Sequence, residues 1–418
     1  MKLFLYNTFL LLFRIGVRIA SLFNKKAGQW IEGRKNVFER LDTALKNQSD
    51  IIWMHCASLG EFEQGRPLLE KIRLQYPRYK LLVTFFSPSG YEVMKNYKGA
   101  DWVFYLPMDG RSNAKRFMRI VNPSLVIFVK YEYWYYYLKT VEQKNIPLLM
   151  VSAIFRQNAA FFKWYGGLYR KMLHSFTHLF IQTEESFRLL SALLPPEKFT
   201  LAGDTRFDRV IDIAEKAEPI PLIEQFTAHS QTIIAGSSWP PDEAILQTAF
   251  NTLKGRFKLI IAPHQVTVEH VSQLRTLFPG CLLYSQLLSG ERQPTESNVL
   301  IIDNIGLLSR IYRYAHTTYI GGAFGAGLHN TLEAAVYGKP VMFGTNYTRF
   351  NEAIGLIEAG AAFSITEANA YISILQQFSS DSEYYEKVCK AALGFVYQHK
   401  GATGQIMRYI QEKRLLTS

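Results

Sequence analysis

The stretch that decides the fold is Gly321-Gly-Ala-Phe-Gly-Ala-Gly-Leu-His-Asn-Thr-Leu-Glu-Ala-Ala-Val-Tyr-Gly-Lys-Pro-Val-Met-Phe-Gly344. An apolar run over 318–320 precedes the glycines, a helix is expected from about His329 to Tyr337, and a second strand is expected from Lys339 to Phe343. A strand, a glycine-rich turn, a helix and a strand in this order predict one βαβ unit and therefore a parallel sheet.

The glycine-rich turn is a candidate anion site. Glycines let backbone N–H groups approach a ligand closely, and a helix N-terminus carries about half a positive charge, so the turn suits a phosphate or a carboxylate. His329, Asn330 and Glu333 fall on the first turn of the predicted helix. The spacing differs from a dinucleotide fingerprint, which requires G-x-G-x-x-G and an acidic residue about 20 positions later. An ordinary glycine-rich βα turn remains the alternative.

Strands and helices alternate along most of the chain. The predicted strands are 51–55, 80–85, 102–106, 125–129, 147–152, 179–182, 231–235, 258–262, 299–302, 318–320 and 339–343. This α/β alternation predicts doubly wound sheets, whose ligands bind at the carboxyl ends of the strands. Residues 209–229 lose the pattern and carry Pro219 and Pro221, which indicates a boundary.

The predicted organisation is therefore two Rossmann-like domains that face each other across a cleft, the architecture of glycosyltransferase-B enzymes. An N-terminal helix occupies residues 1–25, the first domain 26–210 and the linker 211–228. The second domain occupies 229–400, and a last helix within 401–418 packs back on the chain. A length of 418 residues with 48% hydrophobic residues is enough for two cores.

The formal net charge of +12 suggests polyanionic partners, among them anionic lipid, phosphorylated substrates and nucleic acid. No nucleic-acid-binding module is recognisable, which disfavours the last of these. Cys56, Cys281 and Cys389 are widely spaced, so we expect reduced core thiols and neither a disulfide framework nor a zinc site.

Residues 1–25 are mostly apolar, and Asn7, Arg14, Arg18 and Lys25 fall near one line of an ideal helix. A basic stripe on an apolar cylinder is typical of a helix that lies in an anionic membrane interface. Arg14 interrupts the run that a spanning helix needs, so a tilted signal-anchor and a soluble amphipathic helix are the alternatives. A poorly patterned basic connector is expected over residues 25–48.

Glu61 follows the first predicted strand and has two interpretations. With Ser58 it forms the S-x-x-E pattern of a helix capping box. Alternatively, Glu61 is a general base at the carboxyl end of a strand, where it would take a proton from an attacking hydroxyl. A helix N-terminus lowers the pKa of a carboxylate, so Glu61 is expected to be ionised.

Aromatic side chains surround two charged positions after the fourth predicted strand. Lys130, Glu132 and Trp134 lie in the stretch Phe128-Val-Lys-Tyr-Glu-Tyr-Trp-Tyr-Tyr-Tyr137, which suits a sugar or a lipid headgroup, or core packing. The stretch from Ala160 to Arg170 is also aromatic and basic, so it would extend a membrane-facing surface or pack against a neighbouring helix.

Other candidate anion ligands lie at predicted strand ends in the second half. Ser237 and Ser238 stand at a helix entry and can hold a phosphate. Pro263-His264 and Gly306 follow the next two predicted strands, and Arg206 precedes the boundary between the domains.

Seven landmarks in order resemble one family, the 3-deoxy-D-manno-oct-2-ulosonic acid (Kdo) transferases that add Kdo to lipid A precursor. They are His55-Cys-Ala-Ser-Leu-Gly-Glu61, Thr84-Phe-Phe-Ser-Pro-Ser-Gly90, Tyr105-Leu-Pro-Met-Asp109, Asn122-Pro123, Glu132-Tyr-Trp134, Gly203-Asp-Thr-Arg-Phe-Asp208, and Gly321-Gly through His329-Asn-Thr-Leu-Glu333. The resemblance runs from the N-terminus to about residue 400.

The resemblance implies an inverting glycosyltransferase of lipopolysaccharide biosynthesis that moves Kdo from CMP-Kdo to a glucosamine hydroxyl of lipid IV-A. It implies Glu61 as the catalytic base, no metal or other cofactor, and a location on the cytoplasmic face of the bacterial inner membrane. The expected donor contacts are Arg206, Ser237, Ser238, Pro263, His264, Gly306, Gly322, Gly325, Gly327, His329, Asn330 and Glu333. The expected acceptor contacts are Ser58, Gly60, Ser87, Ser89, Lys130, Glu132 and Trp134, and the expected membrane contacts are Arg14, Arg18 and Lys25.

The chain departs from the family pattern at four positions. Pro263-His264-Gln265 stands where many members have Pro-Arg-His, and Lys130 stands where a first glutamate usually precedes Glu132. Leu307 replaces a common glutamate, and Arg206 replaces a usual lysine, which keeps the charge but changes its geometry. The alternative functions are a related enzyme or epimerase that uses a nucleotide-diphosphate sugar, and a non-catalytic membrane protein that binds glycolipid.

Overall fold

The computed structural model describes residues 2–253, 255–325 and 327–417. The described residues form two compact units, which are treated separately below. The first unit comprises Met1–Asp208 together with Lys400–Ser418, and the second comprises Arg209–His399. Met1, which begins the predicted N-terminal helix, and Ser418, which ends the predicted C-terminal segment, lie outside the described residues, as do Lys254 and Ala326.

Among the described residues, the first unit contains a parallel seven-stranded sheet. Its strands are β1 (Ile51–Cys56), β2 (Lys80–Phe85), β3 (Trp102–Tyr105), β4 (Leu125–Val129), β5 (Leu148–Ala153), β6 (His178–Ile181) and β7 (Phe199–Leu201). The spatial order is β3-β2-β1-β4-β5-β6-β7. Its α-helices are Lys2–Ala20, Lys25–Glu32, Val37–Ala44, Leu59–Gln75, Pro88–Met94, Arg111–Val121, Tyr135–Gln143, Gly167–His174, Glu184–Ser191 and Ala402–Glu412. Thr205–Glu215 begins in this unit and ends in the second.

Strand β1 illustrates why this sheet is central. Its six residues are all buried, because helices cover both faces of the sheet. Successive side chains point to opposite faces, so Ile51 and Trp53 belong to one hydrophobic cluster and Ile52 and Met54 to another. A continuous apolar run, rather than an alternating one, is the sequence signal of such a strand.

The described residues of the second unit also contain a parallel seven-stranded sheet. Its strands are β8 (Gln231–Ser238), β9 (Phe257–Pro263), β10 (Leu282–Leu283), β11 (Val299–Ile301), β12 (Thr317–Ile320), β13 (Val341–Phe343) and β14 (Ala362–Ser364). The spatial order is β10-β11-β9-β8-β12-β13-β14. The α-helices are Pro221–Thr227, Pro240–Thr252, Val268–Leu277, Tyr284–Leu288, Leu308–Ile311, Leu332–Ala335, Asn351–Glu358, Ala368–Ser380 and Ser382–Gln398.

The two sheets confirm the predicted fold class, two Rossmann-like α/β domains. One local prediction is wrong, because the expected connector over 25–48 contains two helices, Lys25–Glu32 and Val37–Ala44. The expected linker over 211–228 contains the end of the helix Thr205–Glu215 and the helix Pro221–Thr227, and its role as a linker stays a prediction. The strands β7, β10 and β14 were not predicted, because runs of two or three residues carry too little periodicity to be recognised.

The N-terminal helix ends at Ala20, so Lys25 does not continue the basic line through Arg14 and Arg18. Lys25 instead begins the next helix, whose N-terminus is capped by the Asn24 side chain. Among the described residues, Leu3–Ala20 is a helix long and apolar enough to cross a membrane, with a mean hydropathy of 1.5. Only 6% of the residues in that segment are buried inside the protein.

Candidate active site

In the first unit, the carboxyl ends of β1 and β4 form the topological switch point of the sheet. From this pair, β2 and β3 extend in one direction and β5, β6 and β7 in the other. Ligands of doubly wound sheets bind at this place, because the loops after the two strands diverge. Glu61 follows β1 and Glu132 follows β4, so both carboxylates lie on the segments that leave the sheet at this switch point.

Glu61 lies on the first turn of the helix Leu59–Gln75 and is partly buried. Its carboxylate accepts a hydrogen bond from the backbone N–H of Ala57. Burial and the negative charge of Glu132 raise the pKa of Glu61 to about 8, although the Ala57 hydrogen bond and the charge of Lys130 act in the opposite direction. The expectation of a lowered pKa is therefore wrong: desolvation and a second carboxylate outweigh the helix N-terminus.

The capping-box interpretation of Ser58 and Glu61 is also corrected. Ser58 is the N-cap residue of the helix, but its side chain makes no capping hydrogen bond. The reciprocal pattern that defines the box is thus absent here, and the Glu61 carboxylate takes backbone N–H donors before the helix.

Glu132 is buried and has two defined partners. Its Oε2 lies 2.7 Å from Nε2 of His55 and accepts a 2.6 Å hydrogen bond from the indole N–H of Trp134. His55 is fully buried, and its Nδ1 lies 3.0 Å from the carbonyl oxygen of Thr84. The same Nδ1 lies 2.9 Å from the Thr84 hydroxyl, so His55 links Glu132 to the end of β2.

The other expected acceptor residues follow the strands β1, β2 and β4. Ser87 caps the helix Pro88–Met94 by accepting from the Ser89 N–H at 3.2 Å, and its own N–H donates to Ala57 at 2.7 Å. Lys130 adopts a left-handed backbone conformation, with φ of 68°. A Cβ added to Gly60 would meet nothing within 4 Å, so the space beside this residue is open.

In the second unit, the turns after β8 and β12 are adjacent, because these strands form the switch point of that sheet. The buried Asp242 joins them. Its Oδ2 accepts from the N–H groups of Trp239 and Gly322, each at 2.9 Å, and its Oδ1 accepts from the Tyr319 hydroxyl at 3.0 Å. Burial raises the pKa of Asp242, and the three hydrogen bonds oppose that shift.

The glycine-rich turn requires glycine at its first two positions. A Cβ on Gly321 would lie 2.3 Å from the carbonyl oxygen of Ser237. A Cβ on Gly322 would lie 2.3 Å from the carbonyl oxygen of Gly327, and the φ of Gly322 is +95°. The glycines therefore permit the turn to approach its neighbours closely, in a backbone conformation that L side chains rarely adopt.

Three rings form a stack over this turn. The His264 ring lies between Trp239, at 4.7 Å, and His329, at 4.4 Å. The indole N–H of Trp239 also donates to Nε2 of His329 at 3.2 Å, so the proton of neutral His329 is on Nδ1. Burial lowers the pKa of His264, and burial together with His264 lowers the pKa of His329 to about 4. The stack is uncharged at neutral pH.

The predicted helix at 329–337 is corrected to Leu332–Ala335, a single turn. So short a segment has little macrodipole, because few peptide dipoles align, and the anion-binding argument from a helix N-terminus does not hold here. The side chain of Asn330 accepts from the Leu332 N–H at 3.2 Å and donates to Glu333 at 3.0 Å.

Two other expected donor contacts already have structural partners. Ser238 is fully buried, and its hydroxyl donates to Glu243 at 2.9 Å. Arg206 belongs to the first unit, and its guanidinium pairs with Asp204 at 2.7 Å. Donor contact by either residue stays a prediction.

The remaining expected donor residues lie at strand ends of the second sheet. Pro263 is the buried last residue of β9, and Ser237 stands at the end of β8 with a φ of 53°. Gly306 follows β11 with a φ of +100°, and Gly325 and Gly327 lie in the turn after β12.

Sequence reasoning missed His55, Trp239 and Asp242 as organisers of these sites. Two of them have a local signal: His55 is a polar residue inside an apolar strand, and Asp242 stands at the third position of a helix. The partners of these side chains lie on other strands, so their roles depend on the tertiary structure.

Each unit is thus a doubly wound sheet with polar side chains at its switch point, and two such units in one chain define the class of glycosyltransferase-B-like proteins. The fold is similar to that of UDP-GlcNAc 2-epimerase from Neisseria meningitidis bound to UDP-GlcNAc, with a TM-score of 0.61 and 17% identity. That match covers 87% of this chain and 100% of the epimerase.

Sequence similarity is more specific than similarity of fold. Residues 35–209 match the model of the family described as 3-deoxy-D-manno-octulosonic-acid transferase (kdotransferase). A 3-deoxy-D-manno-octulosonic acid transferase of Aquifex aeolicus is 25% identical over 81% of this chain and 88% of the relative. One of Chlamydophila psittaci is 23% identical over 96% and 94%. The chain is a glycosyltransferase that is similar to Kdo transferases over most of its length, which confirms the resemblance seen in its motifs.

Proposed function

We propose that this enzyme transfers Kdo from CMP-Kdo to a glucosamine hydroxyl of lipid IV-A in lipopolysaccharide biosynthesis, with Glu61 as the general base. The observation that carries the proposal is the convergence of Glu61 and Glu132 on one switch point, where burial and mutual repulsion raise the pKa of Glu61 to about 8. A base with a pKa near the working pH is efficient, because it is partly ionised and still binds a proton strongly.

In the proposed reaction, the Glu61 carboxylate removes the proton of the acceptor hydroxyl. The oxygen attacks the anomeric carbon of Kdo as the bond from that carbon to the phosphate oxygen of CMP breaks. CMP leaves with the bonding electrons, and attack from the opposite face inverts the anomeric configuration. The proton ends on Glu61, whose raised pKa favours its retention until solvent removes it.

We place the donor in the second unit, at the turns after β8 and β12. The stack of Trp239, His264 and His329 supplies flat, uncharged surface beside the glycines, which suits a nucleotide base or ribose. Backbone N–H groups of the glycine-rich turn are the proposed phosphate donors, and Glu333 suits ribose hydroxyls. The proposed roles of Gly325, Gly327 and Asn330 follow from their place in the same turn.

Replacing Glu61 tests the base directly. We expect Glu61→Gln and Glu61→Ala to reduce CMP release from CMP-Kdo and lipid IV-A by at least about a hundredfold, because general-base catalysis contributes on that scale. CMP binding by calorimetry should persist in both variants, and Glu63→Gln, on the same helix, should remain active. Near-normal turnover by either Glu61 variant would refute this role.

The fold alone is also compatible with a nucleotide-diphosphate sugar, since the Neisseria meningitidis epimerase is bound to UDP-GlcNAc. Calorimetry with CMP and UDP separates the two donors. We expect the tighter binding for CMP, and a preference for UDP would overturn the proposed donor.

We propose that transfer requires no metal. The leaving group is a monoester of a single phosphate, so its charge can be stabilised by backbone N–H groups without a cation to bridge a diphosphate. Turnover should therefore be unchanged after dialysis against EDTA. Loss of turnover on dialysis, restored by Mg²⁺ or Mn²⁺, would contradict this.

We further propose that the enzyme works on the cytoplasmic face of the inner membrane, attached through the helix Lys2–Ala20. One side of this helix packs on the first unit through Leu10 and Phe13, whereas Phe4, Leu12 and Ile19 are exposed. Docking along one side favours a helix that lies in the interface, with Arg14 and Arg18 near anionic headgroups. Extraction of the membrane-bound protein by carbonate would support this arrangement.

A further inference from the structure

An apolar cavity of about 620 Å³ opens beside Glu132 in the first unit. Its walls come from three segments: Leu5 and Phe9 of the N-terminal helix, Tyr131 and Trp134 of the loop after β4, and Trp164 and Leu168 of the aromatic stretch. Among the described residues that line it, Glu132 alone carries a charge. The volume is within the range of small-molecule sites, about 300–1,000 Å³.

The N-terminal helix is fastened to this cavity by polar contacts. The Tyr6 hydroxyl donates to the buried Asp109 at 2.6 Å and accepts from the N–H of Tyr135 at 3.2 Å. Tyr136 donates to Asn7 at 2.8 Å. These bonds tie the N-terminal helix to Asp109 and to the start of the helix Tyr135–Gln143, which follows the loop that carries Glu132. The N-terminal helix is therefore a wall of the cavity.

The outer rim of the cavity is apolar and accessible. Trp164 is 91% exposed, and Tyr165 and Phe9 are about half exposed. Aromatic residues of this kind favour the boundary between membrane and water. The inner end, by contrast, reaches the carboxylate that shares a switch point with Glu61. The occupant must therefore be apolar toward the membrane and present a polar group at Glu132.

We propose that this cavity holds an acyl chain of the glycolipid acceptor, so that the chain fixes the position of the sugar hydroxyl relative to Glu61. This inference rests on the proposed function, because it assigns part of the acceptor to a second region of the same site. A phospholipid chain would match the apolar wall, but it has no hydroxyl-bearing sugar to place beside Glu132.

The proposal is tested by substitutions that fill the cavity with a larger side chain. The assay uses detergent micelles, so that attachment of the protein to a membrane does not limit the rate. For the unchanged protein, we expect kcat/KM for lipid IV-A to exceed that for its fully deacylated sugar bisphosphate at least about tenfold, since each buried methylene contributes to binding. Leu168→Trp should lower kcat/KM for lipid IV-A about tenfold and leave the deacylated acceptor unaffected. Leu74→Trp is the matched control, because Leu74 is 74% exposed and lies outside the cavity.

Equal effects of Leu168→Trp on the two acceptors, or no effect on either, would overturn the proposal. Leu5→Trp provides a second filling variant at a 60% exposed position, where the fold tolerates a larger side chain. Thermal melting of each variant separates loss of folding from loss of acceptor discrimination.

A binding measurement does not depend on turnover. Lipid IV-A with brominated acyl chains should quench the fluorescence of Trp164, measured as the difference between the unchanged protein and Trp164→Phe. Equal quenching by a brominated phospholipid would show that the cavity takes any membrane chain and would refute the assignment. If neither acceptor is glycosylated but brominated lipid IV-A quenches selectively, the proposed function fails and the acyl-chain site stands.

Discussion

At the scale of single residues, the protonation of Glu61 depends on the charges around it. Glu132 is held in place by His55 and Trp134. The negative charge of Glu132, added to burial, raises the pKa of Glu61, and the positive charge of Lys130 partly compensates. Lys130 is thus the nearby positive charge that lowers the pKa of Glu61.

The pH dependence of transfer should report this coupling. Glu61 must be ionised to accept a proton, and its pKa is about 8, so the rate should rise as the pH increases through about 8. Glu132→Gln removes a charge that raises this pKa and should move the midpoint of the pH profile to lower pH by roughly one unit.

The measurement is kcat/KM against pH, and it compares midpoints rather than absolute rates. Glu63→Gln is the control, because Glu63 lies on the same helix but is not among the charges that shift the pKa of Glu61. A midpoint that stays at the same pH in Glu132→Gln would contradict the assigned coupling.

At the scale of elements, the glycine-rich turn is shaped by its close approach to the turn after β8. Gly321 packs against the backbone of Ser237 and Ser238, and Asp242 accepts hydrogen bonds from both turns. The geometry of the turn therefore depends on its glycines, which have no side chain, and on one buried carboxylate. It does not depend on a long helix after the turn.

Gly322→Ala should destabilise the second unit by about 1–3 kcal/mol, because alanine is strained at a φ of +95° and its Cβ would clash with Gly327. We also expect weaker CMP binding, measured by calorimetry. Gly394→Ala is the matched control: this glycine lies inside the helix Ser382–Gln398 with free space around it, so alanine should stabilise by up to about 1 kcal/mol. Unchanged stability and CMP affinity in Gly322→Ala would show that the turn tolerates a side chain.

At the scale of the whole molecule, the chain leaves the first unit at Asp208 and returns to it at Lys400. The returning helix, Ala402–Glu412, buries Ile406 and Ile410 in the same hydrophobic cluster as Ile52 of the central strand. Asp208 receives the N–H groups of Gly401 and Thr403, which fixes the start of this helix. The first unit is therefore completed only by the end of the chain.

Ile410→Ala should lower the free energy of unfolding of the first unit by about 2–5 kcal/mol, because it leaves a cavity in a closely packed core. Thermal or urea unfolding measures the effect. The exposed neighbour Gln411 offers a control, since Gln411→Ala should change stability by less than about 0.5 kcal/mol. Equal stability of the two variants would mean that the helix is not part of the core of the first unit.

The sequence alone determined the fold class, most strand positions and the resemblance to Kdo transferases. Apolar runs such as Ile51–Cys56 predict buried parallel strands, and Glu61 and the glycines from Gly321 to Gly327 are local motifs at strand ends. These features could be predicted because each of them depends on residues that are close together in the sequence.

Only the tertiary structure decided the chemistry of the carboxylates and the shape of the glycine-rich turn. The pKa of Glu61 follows from burial and from Glu132, which lies 71 positions later in the chain, so local helix electrostatics predicted the wrong direction. The single-turn helix at Leu332–Ala335 and the partners of Asp242 likewise depend on other strands. Long-range contacts set desolvation and charge proximity, and no short segment of sequence contains them.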